Sequence, residues 1–288
     1  MTGQYKHPTI GWRPIATVSG GGSVEKLQLD ASGGSTKGAS IAQSADDRIW
    51  DHLEPYSGGT NLSHAFYSMP SITRVPMFDT SGVTDMTSMF NGCRSLVVVP
   101  ELDTSSVTSM ITMFTGCSSL VVVPELDTSN VTQMVSLFSG CSSLVEIPPL
   151  VTSSVTNMAS MFNNCSSLVE IPPFDTSNVT NMNNMFYGCS SLVEIPELDM
   201  SAATSLSSFA GSTYTSSTQL SSLTRFKAFG ATRGFLLPGT NMDAAALNEL
   251  MSNLGTADGV QTLNIRNSPG SSTCDPSIAT AKGWTVLT

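Results

Sequence analysis

The sequence predicts an α/β solenoid of 24-residue units, with a parallel β-sheet on one side, short helices or 3-10 turns on the other, and a cap at each end. Three observations carry this prediction. First, Cys93, Cys117, Cys141, Cys165 and Cys189 recur every 24 residues, and a fixed period of that length marks stacked copies of one small unit. Second, neighbouring columns keep the same register without insertion or deletion: Val83, Val107, Val131, Val155, Val179; Met86, Met110, Met134, Met158, Met182; Phe90, Phe114, Phe138, Phe162, Phe186. Leu96, Leu120, Leu144, Leu168, Leu192 and Pro100, Pro124, Pro148, Pro172, Pro196 extend the pattern. Third, one unit cannot fold alone. Ordering its backbone costs about 1–2 kcal/mol per residue, whereas each buried apolar side chain returns only about 1.5–3 kcal/mol, so neighbours must share a core.

Each unit divides into two halves. Val179, Met182 and Phe186 follow i, i+3, i+7 with Met185 beside them, a spacing that predicts a short helix or 3-10 coil. Asp175 or Ser177 stands ready to accept from the free amides at its start, and Gly188 to end it in the left-handed conformation. Leu192–Ile195 then reads as a short strand closed by Pro196, which cannot donate to a ladder. With Val193 and Ile195 inward, Glu194 points outward.

The array has degenerate ends. Leu62, Phe66, Ile72, Val75 and Pro76 fall on the register of Met86, Phe90, Leu96, Val99 and Pro100, so a first unit starts near residue 60. After Cys189, Ala203 and Leu206 hold the Val and Met columns, but Phe209 arrives one position early and the cysteine column ends. Residues 212–288 form a C-terminal capping region with a diverged unit: a helix over Asp243–Leu254 stopped by Gly255, a strand over Val260–Ile265, a short helix over Pro276–Lys282 and a final strand from Trp284. Residues 1–57 read as a β-rich docking or capping segment. Pro8–Val18 and Val24–Asp30 are strand candidates between glycine-rich turns, and Ile49, Trp50 and Leu53 are placed to pack on the first unit. The domain division is therefore 1–57, 58–211 and 212–288.

Two resemblances follow. Asp-Thr-Ser-Asn-Val-Thr-Asn-Met at 175–182, Met-Phe-Tyr-Gly-Cys-Ser-Ser-Leu at 185–192 and their copies resemble the BspA-type leucine-rich repeats of bacterial surface proteins, which implies a leucine-rich-repeat solenoid. The end of the chain is similar to the ends of tailed-bacteriophage virion proteins, often tail-fibre or tail-associated. That likeness rests on Ala245–Leu250, Thr262–Gly270 and Cys274–Val286.

Composition excludes some function classes. The net charge is −10 and charged residues make up only 12% of the 288, about half the usual share. Between residues 75 and 211 twelve carboxylates face one base, Arg94, which argues against nucleic acid, since phosphate binding needs a basic stripe. No run of about 20 apolar residues exists to span a membrane. Met1–Pro8 offers no apolar stretch fit for a signal peptide, which favours a virion protein over a secreted adhesin.

Chemistry-bearing residues are few, and no cofactor motif is present. One cysteine per unit in a single column, without matched histidines, gives no tetrahedral metal set. Disulfides between adjacent copies are conceivable by spacing, but five members cannot all pair and their side chains point the same way. Reduced cysteines packed as small hydrophobes are the favoured reading. His7, His52 and His64 suggest no catalytic triad. Glu146, Glu170, Glu194 and the column Asp79, Asp103, Asp127, Asp175, Asp199 could bring paired carboxylates together as in a retaining glycosidase; repetition alone also produces such columns, and aspartates there suit loop caps. The strip Val98, Val122, Glu146, Glu170, Glu194 is apolar at one end and acidic at the other. It is either a partner contact or a solvated sheet face.

The expected function is thus a non-enzymatic structural protein of the bacteriophage virion, tail-associated or displayed on the particle, assembled in the host cytoplasm. Its partners would be other virion proteins and a host surface protein or glycan, with homo-oligomers open and neither nucleic acid nor membrane insertion involved. The alternatives are a BspA-type adhesin at the bacterial cell surface and, third, an enzyme acting on polysaccharide.

Overall fold

A computed structural model describes residues 60–75, 77, 79–211 and 220–288. The expected N-terminal segment 1–57, with His7 and His52, lies outside the described residues, as does Pro76. The fold is mixed α/β with parallel strand pairs and few helices, as suits a repeat protein.

Copies of the repeat lie side by side and exchange backbone hydrogen bonds. The N–H groups of Met86, Ser88, Phe90 and Gly92 donate to Ser109 O, Ile111 O, Met113 O and Thr115 O at 2.8–3.0 Å, while those of Met89, Asn91 and Cys93 donate to the carbonyls three residues back. Alternate amides therefore point along the array and within the copy. This corrects the expected short helix or 3-10 coil: residues 183–188 form consecutive turns, and no helix of either kind occurs among the described residues of 60–211. The cause is the left-handed backbone needed at two columns. Ser88, Thr112, Ser136, Ser160 and Asn184 take φ of 54–57°, and Gly92, Gly116, Gly140 and Gly188 take 74–81°, with Asn164 at 60° in the glycine column. An α-helix cannot continue through such residues, so the i, i+3, i+7 spacing reports turns.

The sheet is also thinner than expected. Parallel pairing appears as isolated bridges such as Arg74↔Val98 and Val98↔Val122, and among the described residues of 60–211 a full strand forms only at β1 (Glu194–Asp199), beside β2 (Arg225–Phe229). Pro196 lies inside β1 instead of ending it, and the register shifts between Ile195 and Leu198, where proline has no N–H to give. Leu192 and Ile195 are buried with Val193 and Glu194 both exposed between them, so Val193 is not inward. Two buried positions three apart show that this segment does not alternate inward and outward as a regular pleat does.

The core is a set of ladders. Phe66, Phe90, Phe114, Phe138, Phe162 and Phe186 stack at 5.2–5.8 Å with planes within 11°. The early arrival of Phe209 turns its ring edge-on to Phe186, at 81°. A second ladder is polar: Thr80, Thr128, Thr152 and Thr176 are buried, and their hydroxyls donate to the carbonyls of Asp103, Val151, Asp175 and Asp199 at 2.8–3.0 Å. Because the backbone carbonyl is the acceptor, Val151 substitutes for aspartate without breaking the ladder.

The C-terminal elements follow the expected order. α1 (Ala244–Asn253) begins at Asp243, whose carboxylate accepts from the Ala246 N–H at 2.8 Å. β3 (Phe235–Leu236), β4 (Gln261–Asn264) and β5 (Trp284–Leu287) form a parallel sheet, with α2 (Ser277–Thr280) before β5. Lys282 closes α1 by donating to Ser252 O and Leu254 O, both at 2.6 Å. Gly270, in the 3-10 turn Pro269–Ser272, lies so close to Asp243 and Ala244 that a Cβ would collide with their backbone. Gly270→Ala is expected to cost at least the upper part of about 1–3 kcal/mol, read from a denaturant midpoint; a cost below about 0.5 kcal/mol would contradict this packing.

Candidate functional site

The site grows from the segment after each cysteine. A buried Leu and a buried Val or Ile three residues on hold two consecutive side chains outward in every copy. The second of these is the strip named from sequence: Val98 is 49% exposed, and Glu146, Glu170 and Glu194 are exposed, with Val122 half-buried. The structure brings these residues into one line, because Val98 bridges Val122 and equivalent backbone bonds follow down the array.

The line is flanked by a rail that the alternating-strand reading missed. Val97, Val121, Val145, Val169 and Val193 are each 40–44% exposed, and their backbones form a ladder in which Val121, Val169 and Val193 donate to the valine one copy back at 3.1–3.3 Å. A signal was present in the sequence: a valine in the same column of five copies, next to a column that varies between Val and Glu.

Bases bound the line at both ends. Arg74 bridges Val98 at one end, and at the other Glu194 is the register partner of Arg225 in β2. Arg225 is itself held in a fork by Glu249, Nε to Oε2 at 3.2 Å and Nη2 to Oε1 at 3.1 Å, and Lys227 reaches the same carboxylate at 3.4 Å. Hydrogen bonding from Arg225 holds the Glu249 carboxyl below its usual range.

The aspartate column does different work. Asp79, Asp103, Asp127 and Asp175 each accept the N–H of the serine two residues on, at 2.9–3.1 Å. Hydrogen bonds from Ser81, Ser105, Ser129 and Ser177, the side-chain contribution being the larger, hold these carboxyls below the ordinary aspartate range. They are loop caps. The five cysteines of the column are free and buried, and each Sγ–H donates to a phenylalanine carbonyl 27 residues back at 3.0–3.1 Å. His64 is exposed beside Tyr67.

With this geometry in view, the family can be assigned. A family model described as "Mycoplasma protein of unknown function, DUF285" matches residues 60–144 and 121–223. The chain belongs to the DUF285 family. The DUF285 match covers the whole strip and supports the BspA-type repeat reading. It stops before residues 245–286, on which the resemblance to tailed-phage proteins rests, and nothing in it bears on a virion. No curated protein matches the chain.

Proposed function

We propose that this DUF285 chain is a BspA-type surface protein: a leucine-rich-repeat-type solenoid of 24-residue units that serves as a non-enzymatic scaffold, displays the Val98–Glu194 strip, and holds a partner at a host surface. The observation that carries the reading is the coincidence of the family match, residues 60–223, with the one continuous strip of exposed valine and glutamate in those residues. The carboxylates of the aspartate column are engaged within their own loops, each accepting the N–H of the serine two residues on. This supports a binding role over hydrolysis. The virion reading rests chiefly on the C-terminal resemblance, which the family match does not reach.

Protease shaving of intact producing cells, read by mass spectrometry, should release peptides from residues 60–211. Their absence there, with the chain present in purified phage particles from the same culture, would replace this reading by the virion one. In displayed protein, Glu146→Lys with Glu170→Lys and Glu194→Lys should lower adhesion about tenfold, the effect of about 1.4 kcal/mol in binding. Unchanged adhesion would remove the strip from the contact.

A further inference from the structure

The strip pairs a line of partly exposed valines with a line that turns acidic, and this combination specifies its occupant. We infer that the strip binds a cationic amphipathic α-helix of a partner protein, laid along the array with apolar residues on the Val97–Val193 rail and Lys or Arg over Glu146, Glu170 and Glu194. The inference deepens the proposed function and rests on its strip.

Charge complementarity selects a cation. The strip carries three exposed glutamates in successive copies, within a stretch of twelve carboxylates and one arginine. A second copy of the chain does not fit: its bases beside the strip end, Arg225 and Lys227, are already engaged with Glu249, and strip against strip in full antiparallel overlap sets Glu146 on Glu146.

Spacing selects a helix. Hydrogen-bonded neighbouring copies repeat at about 4.8 Å, and a helix returns a side chain to the same face about every 5.4 Å. The mismatch is about 0.6 Å per copy, or about 1.2 Å from Glu146 to Glu194. A β-strand presents same-face side chains about every 6.7 Å, and its mismatch over the same three copies is about 4 Å. Long basic side chains absorb the first error and not the second. The valine rail then supplies an apolar seat along the whole contact, the arrangement an amphipathic helix requires.

The test uses the full chain and two synthetic 21-residue probes, followed by fluorescence anisotropy at about 0.15 M salt. One probe is a helical Leu/Lys peptide with Lys at i, i+4 and i+7; the other has the same residues with a central proline. The helical probe should bind at least tenfold tighter than its proline isomer. Glu146→Gln, Glu170→Gln and Glu194→Gln together should weaken it tenfold or more. The matched set Glu101→Gln, Glu125→Gln and Glu197→Gln, likewise exposed and equal in charge, should weaken it less than threefold. Val145→Thr with Val169→Thr should weaken it about threefold, with the melting midpoint confirming that every variant is folded.

Absence of binding, equal affinity for the proline isomer, or equal losses in the two glutamine sets would each overturn the inference. Glutamate-dependent binding to a glycan without binding to the helical probe would also overturn it. Cells whose displayed chain adheres normally while ignoring the helical probe would sink this inference and leave the surface-scaffold reading standing.

Discussion

Replacing Phe138 by alanine should remove about 3–5 kcal/mol of stability, enough to lower the unfolding midpoint by many degrees. The ring is fully buried and stacked between Phe114 at 5.7 Å and Phe162 at 5.8 Å. Its backbone is pinned from both sides. The Phe138 N–H donates to Met161 O at 3.0 Å, and Phe138 O accepts both the Cys141 N–H and the Cys165 thiol. The copies therefore cannot slide together to close the hole, and the cost includes the cavity as well as the lost apolar contact. Phe138→Leu should recover part of the loss, because it refills volume without the stacked geometry. Urea titration checks both, and a loss below about 1 kcal/mol for Phe138→Ala would show that the stack can relax in a way this backbone does not permit.

Thiol chemistry should divide the six cysteines into one and five. Cys274 is half-buried, while Cys93, Cys117, Cys141, Cys165 and Cys189 are buried. Burial pushes all five thiols up, Cys93 and Cys165 to about 12. The thiolate is the reactive species, so at neutral pH these groups are protected by protonation and by inaccessibility together. In native protein a disulfide reagent should modify Cys274 first, and the ladder at least about a thousandfold more slowly, the factor that a local opening costing about 4 kcal/mol imposes. All six should react in denaturant. Two or more disulfides in the isolated protein, or fast release of more than one thiol, would contradict the ladder.

Much of this was legible in the residues. The columns of Val, Met, Phe, Cys and Leu identified the buried ladders correctly, because a side chain repeated in one register meets its own copies whatever the local backbone does. The C-terminal helix was also legible, since the spacing of Leu247, Leu250, Met251 and Leu254 is a local signal; Asp243, read as its first residue, caps it instead. The backbone of the repeat was not. Val179, Met182 and Phe186 fit a helical spacing, and nothing local reveals that Asn184 takes a positive φ so that its neighbours can bond along the array. The same limit hid the Val193 rail. A period of two fits the residue types of Leu192–Ile195, whereas the chain exposes two residues in succession there. Of the strip, the sequence supplied the members and their order; the valine rail and the approach of Arg74 and Arg225 required the pairing of copies.

The backbone bonds between copies also have a direction. Amides of the Met, Ser, Phe and Gly columns donate to the following copy, whereas those of the Thr84 and Val97 columns donate to the preceding one. Each copy thus has two unlike faces, a plug and a socket. A copy added or removed whole would keep this match, since each new face would meet the complement of its own kind. An inverted copy would present donors to donors and acceptors to acceptors, and has no place among them.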